Sequence, residues 1–286
     1  MPPIKLTRML WYVLIFVIGF IGVSLWSTWL VTHPKTIESG LNPGHFKIPF
    51  EEVKLAAKDG ISISGWFIKN ESPKKPALVI LHGYPAEKGD MMFIANDLRP
   101  DFNILLIDFR SFGKSGGSFT TLGNQERLDL KAALDFLEER GFKKAGVLGF
   151  SLGGAVAIIT AVDDPRIAAV VSYASFADLT LLGQETYRNL FIFRYPLVEL
   201  MKLWGGIFWD MDAKLSPQYA AERLKTPALI VHTKPDEQIP FRHAELLREA
   251  LKKNPGAEFY FPEKGRHGEL PSDFEERVKN FFLKHL

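Results

Sequence analysis

From residue 50 to the carboxyl end, the sequence predicts an α/β fold with a mostly parallel sheet covered by helices on both faces. Three observations carry this. Apolar strand-like runs alternate with helix-like stretches. The run at 76–81 (PALVIL) is continuously apolar, as a strand buried on both faces must be. A glycine-flanked serine, Gly149-Phe150-Ser151-Leu152-Gly153, joins a strand-like segment to a small-residue helical one, the pattern of a sharp strand–turn–helix connection.

The chain has 286 residues, 47% hydrophobic and 24% charged, which fits one large domain with an appendage. A formal net charge of +2 makes no electrostatic case for nucleic acid. With no cysteine, disulfides, thiolate metal sites and a cysteine nucleophile are excluded.

The appendage comes first. Residues 10–31 contain no charged residue and are long enough to cross a bilayer core, which needs roughly 20 helical residues. Lys5, Arg8 and the amino terminus precede this run, while Lys35 and Glu38 nearly cancel after it. Trp11 and Tyr12 at one end, and Trp26 and Trp29 at the other, suit two membrane interfaces. The expectation is an uncleaved signal anchor: 1–9 cytoplasmic, 10–31 transmembrane, and the main domain on the extracytoplasmic side. A cleaved signal peptide fits less well, because the run is long and no small-x-small site follows it cleanly. Segment 32–49, with three prolines and two glycines, reads as a linker, and 50–286 as the domain.

Within the domain, strands at 51–57 and 61–68 flank Asp59-Gly60, a hairpin turn signal that predicts an antiparallel start to the sheet. Then follow the strand at 76–81, a helix at 89–98 and a buried strand at 103–109. An amphipathic helix at 122–140 is stopped by Gly141. The elbow strand (145–150) and helix (152–162) come next, then strands at 167–175 and 227–233, a helix at 241–253, a short strand at 258–261 and a final helix at 272–286.

In such sheets the chemistry sits at the carboxyl ends of the strands. Ser151 stands at one. A serine hydroxyl becomes a nucleophile only when a base takes its proton, and the base needs an orienting carboxylate. His267, in a glycine-flanked loop beyond the last strand, is the best base. His232 lies inside a strand, His243 early in a helix and His285 in the last turn, where a solvated or dipole-neutralising role is expected. Asp236, after the strand at 227–233, is the best acid, with Asp178 the runner-up. Asp163, Asp164, Asp210 and Asp212 read as solvated charges and Asp273 as a helix-start residue. A tetrahedral intermediate needs backbone donors, for which the amides of Leu152 and Tyr84 are the candidates. His82 precedes Ser151 in chain order and reads as structural.

Taken together, Leu81-His82-Gly83-Tyr84, Asp108-Phe109-Arg110-Ser111-Phe112-Gly113-Lys114-Ser115, the Ser151 pentapeptide with Gly154, His232-Thr233-Lys234-Pro235-Asp236 and Gly265-Arg266-His267 resemble the alpha/beta-hydrolase superfamily, in its serine-hydrolase branch with a short helical cap and membrane-anchored members. The resemblance spans roughly residues 50 to 286. It implies an alpha/beta-hydrolase fold, a Ser151, Asp236, His267 triad and an oxyanion hole at Tyr84 and Leu152. No cofactor is expected, and no metal either, since no pair of histidines and carboxylates has metal-ligand spacing. Thr233 departs from it, since many members carry glycine there. Gly113-Lys114-Ser115 imitates the end of a phosphate loop, but the glycine required five residues earlier is Asp108. Serine rather than aspartate at the nucleophile position argues against dehalogenase or epoxide-hydrolase chemistry.

Residues 177–226 are too long for a simple crossover and carry Tyr187, Phe191, Phe193, Tyr195, Trp204, Phe208 and Trp209, so a helical cap over the site is expected, with Gly205-Gly206 as a flexible point. The functional expectation is a membrane-tethered serine hydrolase acting on an ester, thioester or amide of a small-molecule or lipid-like acyl substrate. The alternatives are an acyltransferase using the same acyl-enzyme, and a catalytically silent domain that binds a lipid or partner.

Overall fold

The computed structural model describes residues 6–72, 74–212 and 215–286. Chain order begins with α1 (Leu6–Thr32) and the hairpin β1 (Glu51–Ala56) and β2 (Ser62–Ile68). It continues through β3 (Ala77–Leu81), α2 (Met92–Leu98), β4 (Asn103–Ile107), α3 (Glu126–Glu139), β5 (Ala145–Phe150), α4 (Leu152–Ala161) and β6 (Ile167–Tyr173). Then come α5 (Leu179–Thr186), a 3-10 segment (Arg188–Phe193), α6 (Arg194–Trp209) and α7 (Pro217–Ala221). β7 (Ala228–Val231), α8 (Arg242–Ala250), β8 (Ala257–Tyr260) and α9 (Phe274–His285) complete the chain.

The eight strands form one sheet in the order β1-β2-β4-β3-β5-β6-β7-β8. β2 pairs antiparallel with β1 and β4, and every later pairing is parallel. The hairpin turns where expected: Gly60 takes φ +85 and donates to the Ala57 carbonyl. All ten residues of β3 and β4 are fully buried, because helices cover both faces. On one face α3, α4 and α8 bury Leu130, Leu134, Val156 and Leu247; on the other α2 and α9 bury Met92, Leu98, Val278 and Phe282.

The Asp108–Ser115 stretch is a structural brace. The Asp108 carboxylate pairs with the buried Lys88 ammonium and accepts from the backbone amides of Lys88 and Lys114, both at 2.9 Å. Arg110 donates Nη2 to Asp129 at 2.7 Å and Nη1 to Asp59 at 2.6 Å. These bonds tie the loop after β4 to the hairpin and to α3.

The insertion between β6 and β7 divides into two parts. The helices α5 and α6, with the 3-10 segment, lie over the carboxyl ends of the strands. α7 instead buries Ala220 and Ala221 in the main core. Residues 213 and 214, inside the expected cap, lie outside the described residues. Gly205 and Gly206 sit within the last turns of α6, where a side chain on Gly205 would meet Met211 Sδ at 2.8 Å.

α1 does not stand apart from the domain. Ser24, Thr28 and Thr32, four residues apart and therefore on one face, are buried. Trp204 Nε1 donates to Ser24 Oγ at 2.8 Å, and Phe16 and Phe20 pack on Phe193 with ring centroids 6.0 and 6.3 Å away. The segment 32–49 is bonded to the domain as well. The Thr120 amide donates to the Thr32 carbonyl, the Ile37 amide donates to the Pro85 carbonyl, and Ile48 is buried. Lys5 and the amino terminus, which the expected orientation uses, lie outside the described residues.

Candidate active site

The turn after β5 is strained. Ser151 has φ +52 and ψ −111, outside the ordinary regions for a residue with a side chain. Its amide donates to the Tyr173 carbonyl at 2.8 Å, which fixes it to the neighbouring strand. The flanking glycines are forced by contact: a Cβ on Gly149 would overlap the Gly153 backbone, and one on Gly153 would lie 2.7 Å from the Leu81 carbonyl oxygen. Gly154 has the same constraint, with Ser172 Oγ 2.6 Å from where its Cβ would be.

Asp236 and His267 meet beyond the ends of β7 and β8. His267 Nδ1 is 2.8 Å from Asp236 Oδ2. Asp236 Oδ1 accepts from the amides of Gln238 at 2.9 Å and Ile239 at 2.8 Å. Burial opposes ionisation of this carboxyl, but the bonds from His267 and the Ile239 amide outweigh it and hold Asp236 below the usual carboxylate range. The His267 loop is shaped by Gly265 (φ +113) and Gly268 (φ +81), and the imidazole lies 4.9 Å from the Phe150 ring, next to Ser151. Thr233 packs under this loop: a Cβ on Gly265 would be 3.0 Å from Thr233 Cγ2, so the methyl fills space beside a residue that has no side chain.

The other histidines are committed elsewhere. His82 Nδ1 donates to the Gly83 carbonyl at 2.7 Å while Nε2 accepts from the Phe109 amide at 2.9 Å. His243 Nδ1 accepts from the Ala177 amide at 3.0 Å, which leaves Nε2 to donate to Glu185 at 2.9 Å. His232 Nε2 donates to the Ile239 carbonyl at 2.8 Å. Burial lowers the pKa of all three. His285, in the last turn of α9, is half-buried against Phe281, and burial lowers its pKa too. Asp178 caps α5, accepting from the Leu181 amide at 2.7 Å. Asp164, read from the sequence as solvated, is buried and accepts from Arg166 Nη2 at 2.7 Å. Among the described residues, no cluster of three histidines and carboxylates has the arrangement of a metal site.

Ser151, Leu152, Tyr84 and His267 wall one cavity of about 560 Å³. Leu152 is the first residue of α4, where a helix leaves its amides without a carbonyl partner. Tyr84 donates its hydroxyl to the Val31 carbonyl at 3.1 Å, and burial followed by the nearby Tyr187 pushes its phenol up to about 12. α1 completes the wall: Thr28, Val31 and Thr32 line the same cavity. The sequence reading assigns α1 no part in the site. The available signal is the Ser24, Thr28, Thr32 stripe, a polar line on one face of an otherwise apolar helix.

The alpha/beta hydrolase fold matches residues 76–195 as a sequence family. The YfhR protein of Escherichia coli O157:H7 is 27% identical over 252 residues, 82% of this chain and 81% of its own length. The bem46 protein of Schizosaccharomyces pombe is 30% identical over 48% of each chain. Among solved structures, the Pyrococcus furiosus esterase Pf2001 superposes with a TM-score of 0.73 at 25% identity, over 88% of this chain and 99% of its own. With the mostly parallel eight-stranded sheet and the strained strand–helix turn already described, these likenesses give the chain the alpha/beta-hydrolase fold.

Proposed function

We propose that the protein is a membrane-anchored serine hydrolase that cleaves an ester or thioester, or an amide, through an acyl-enzyme on Ser151. One observation carries the reading: a carboxylate-bound histidine, His267 on Asp236, walls the same cavity as a serine on a strained elbow. The Asp236 carboxylate, held ionised, fixes the His267 proton on Nδ1 and leaves Nε2 to act as base. His267 Nε2 takes the Ser151 proton as Oγ attacks the substrate carbonyl carbon. The oxyanion is received by the amides of Leu152 and Tyr84. His267 returns the proton to the leaving alcohol or thiol, and water, activated by the same imidazole, then releases the acid and frees Ser151.

α1 is the anchor. Its stretch of 25 residues from Arg8 to Thr32, with a mean hydropathy of 2.2 in the most apolar window, is enough to cross a bilayer. The cations before it favour an amino terminus in the cytoplasm and the domain on the other side. The Pyrococcus neighbour, an esterase by name, supports the ester class of substrate.

The test is to react the full-length protein in detergent with a fluorophosphonate probe and with p-nitrophenyl esters, beside Ser151→Ala. Labelling and turnover that vanish in the variant are expected. A parent that neither labels nor turns over sinks the proposal.

A further inference from the structure

The position of α1 against the cap fixes more than a tether does. Residues 10–15, all exposed, lie before Phe16, where α1 meets the Phe193 ring. At 1.5 Å per residue they rise about 9 Å, whereas the hydrocarbon core is about 30 Å thick. From Phe16 onward α1 lies along the cap. Phe16 and Phe20 meet Phe193, Ser24 meets Trp204, and His33 packs on Trp209 at 5.8 Å. α1 and α6 therefore run side by side, in the same direction, along the later part of the apolar run.

The cap surface beside this seam has the character that such a depth demands. Phe191 is 79% exposed and Ile192 73%, and Leu190, Leu203, Ile207 and Phe208 are exposed with them. An apolar cluster of this kind is rare on a surface that faces water. Its cations are Arg188, which is exposed, Arg194, whose guanidinium lies over the Tyr195 ring at 4.8 Å, and Lys202, which pairs with Glu199 at 3.0 Å. The same two elements wall the cavity, α1 through Thr28, Val31 and Thr32, and the cap through Tyr187, Val198 and Met201.

We propose that the cap and α1 together enter the leaflet on the domain's side, and that the substrate is a bilayer-resident acyl ester that reaches Ser151 between them. This rests on the anchored serine-hydrolase reading and names its substrate class. The occupant of the apolar face is lipid, because the face continues the surface of the membrane-spanning helix. The reaction is hydrolysis: Ser151 Oγ displaces the lipid alcohol from the acyl carbon, and one water then replaces Oγ to give the free acid.

The chain has no cysteine, so single reporters can be introduced without background. Ile192→Cys and Ile207→Cys, each labelled with a fluorophore in the full-length protein in phosphatidylcholine vesicles, are compared with Lys144→Cys, an exposed position just before β5, at the amino ends of the strands and so opposite the cap. Lipids brominated along the acyl chain are expected to quench both cap labels by half or more and to leave the Lys144 label unchanged. Cap labels quenched no more than the Lys144 label overturn the proposal. In a second arm, the Phe191→Glu, Ile207→Glu double variant is expected to keep hydrolysis of p-nitrophenyl butyrate within twofold of the parent. Its turnover of a long-chain monoacylglycerol held in the vesicles should fall at least tenfold. Equal turnover of both substrates by parent and variant also overturns it. A parent inactive on both esters defeats the hydrolase reading instead, and the quenching arm still decides whether the cap enters lipid.

Discussion

The Asp236 carboxylate faces two imidazoles: Oδ2 is 2.8 Å from His267 Nδ1 and 3.5 Å from His232 Nε2. The two are not equivalent. His232 Nε2 already donates to the Ile239 carbonyl, and burial keeps that ring neutral, so its proton is committed away from the carboxylate. His267 is the partner free to gain from the charge. Asp236→Asn keeps the shape but removes that charge and disturbs the tautomer of His267. It is expected to lower kcat by on the order of 10⁴-fold, measured with p-nitrophenyl butyrate in detergent. Asp178→Asn, by contrast, loses only a helix cap, about 1 kcal/mol of stability or less, and should retain activity within a few-fold. An Asp236→Asn enzyme with near-parental kcat would remove Asp236 from the mechanism.

Acid sensitivity follows from the three histidines held neutral in the domain. For His82, His232 and His243 the folded-state pKa is depressed, primarily by burial. Below about pH 6.5, the ordinary histidine value, the unfolded chain binds protons that the folded chain refuses. Stability is therefore full above that pH and falls as pH drops through it, by up to about 1.4 kcal/mol per group per pH unit. Asp236, whose folded pKa is lowered, adds stability that is lost only further down, as pH falls below the usual carboxylate value. The urea midpoint should hold from pH 7.5 to about 6.5 and then drop progressively to pH 5.5. A flat midpoint over that window would contradict the assignment, as would imidazole proton resonances of these three residues that titrate near 6.5.

The strands were the most legible part of the chain. β3 and β4 read directly because burial on both faces removes any polar alternation, and the hairpin read from Asp59-Gly60 because only a turn uses that pair between two β-rich runs. Candidate site residues were legible for a related reason: the elbow glycines are dictated by local backbone contact, and local constraints leave local letters. The α1–cap seam is different. Ser24 and Trp204 are distant in sequence, and an apolar helix is written with the same residues whether lipid or protein covers it. Asp164 was misread on similar grounds, since a carboxylate in a turn gives no sign that Arg166 will fold back over it.

Gly149→Ala tests the elbow. The added methyl would overlap the backbone of Gly153, and backbone cannot move aside as a flexible side chain can. A loss of about 3 kcal/mol or more is expected, seen as a large drop in the urea midpoint. Gly206→Ala is the contrasting case. It sits inside α6 with its nearest new neighbour, the Met211 carbonyl oxygen, at 3.6 Å, so helix propensity should make it neutral or stabilising by up to about 1 kcal/mol. If Gly149→Ala proves as mild as Gly206→Ala, the tight elbow geometry is wrong.

Removing residues 1–33 asks whether α1 is part of the domain or only its leash. Truncation uncovers Phe193, Trp204 and Trp209 and takes the Val31 carbonyl from Tyr84. It also deletes the cavity wall formed by Thr28, Val31 and Thr32. Exposed aromatic surface of this kind favours association, so the truncated protein is expected to need detergent to stay monodisperse. Its Tm should fall by several degrees, the shift that about 2 kcal/mol produces in a domain of this size. With one wall missing, the ratio of kcat/KM for a decanoyl to an acetyl p-nitrophenyl ester should drop by about tenfold, which corresponds to about 1.4 kcal/mol of lost acyl-chain contact. A truncated protein that is soluble without detergent and keeps the parental chain-length ratio would show that α1 contributes nothing to the site.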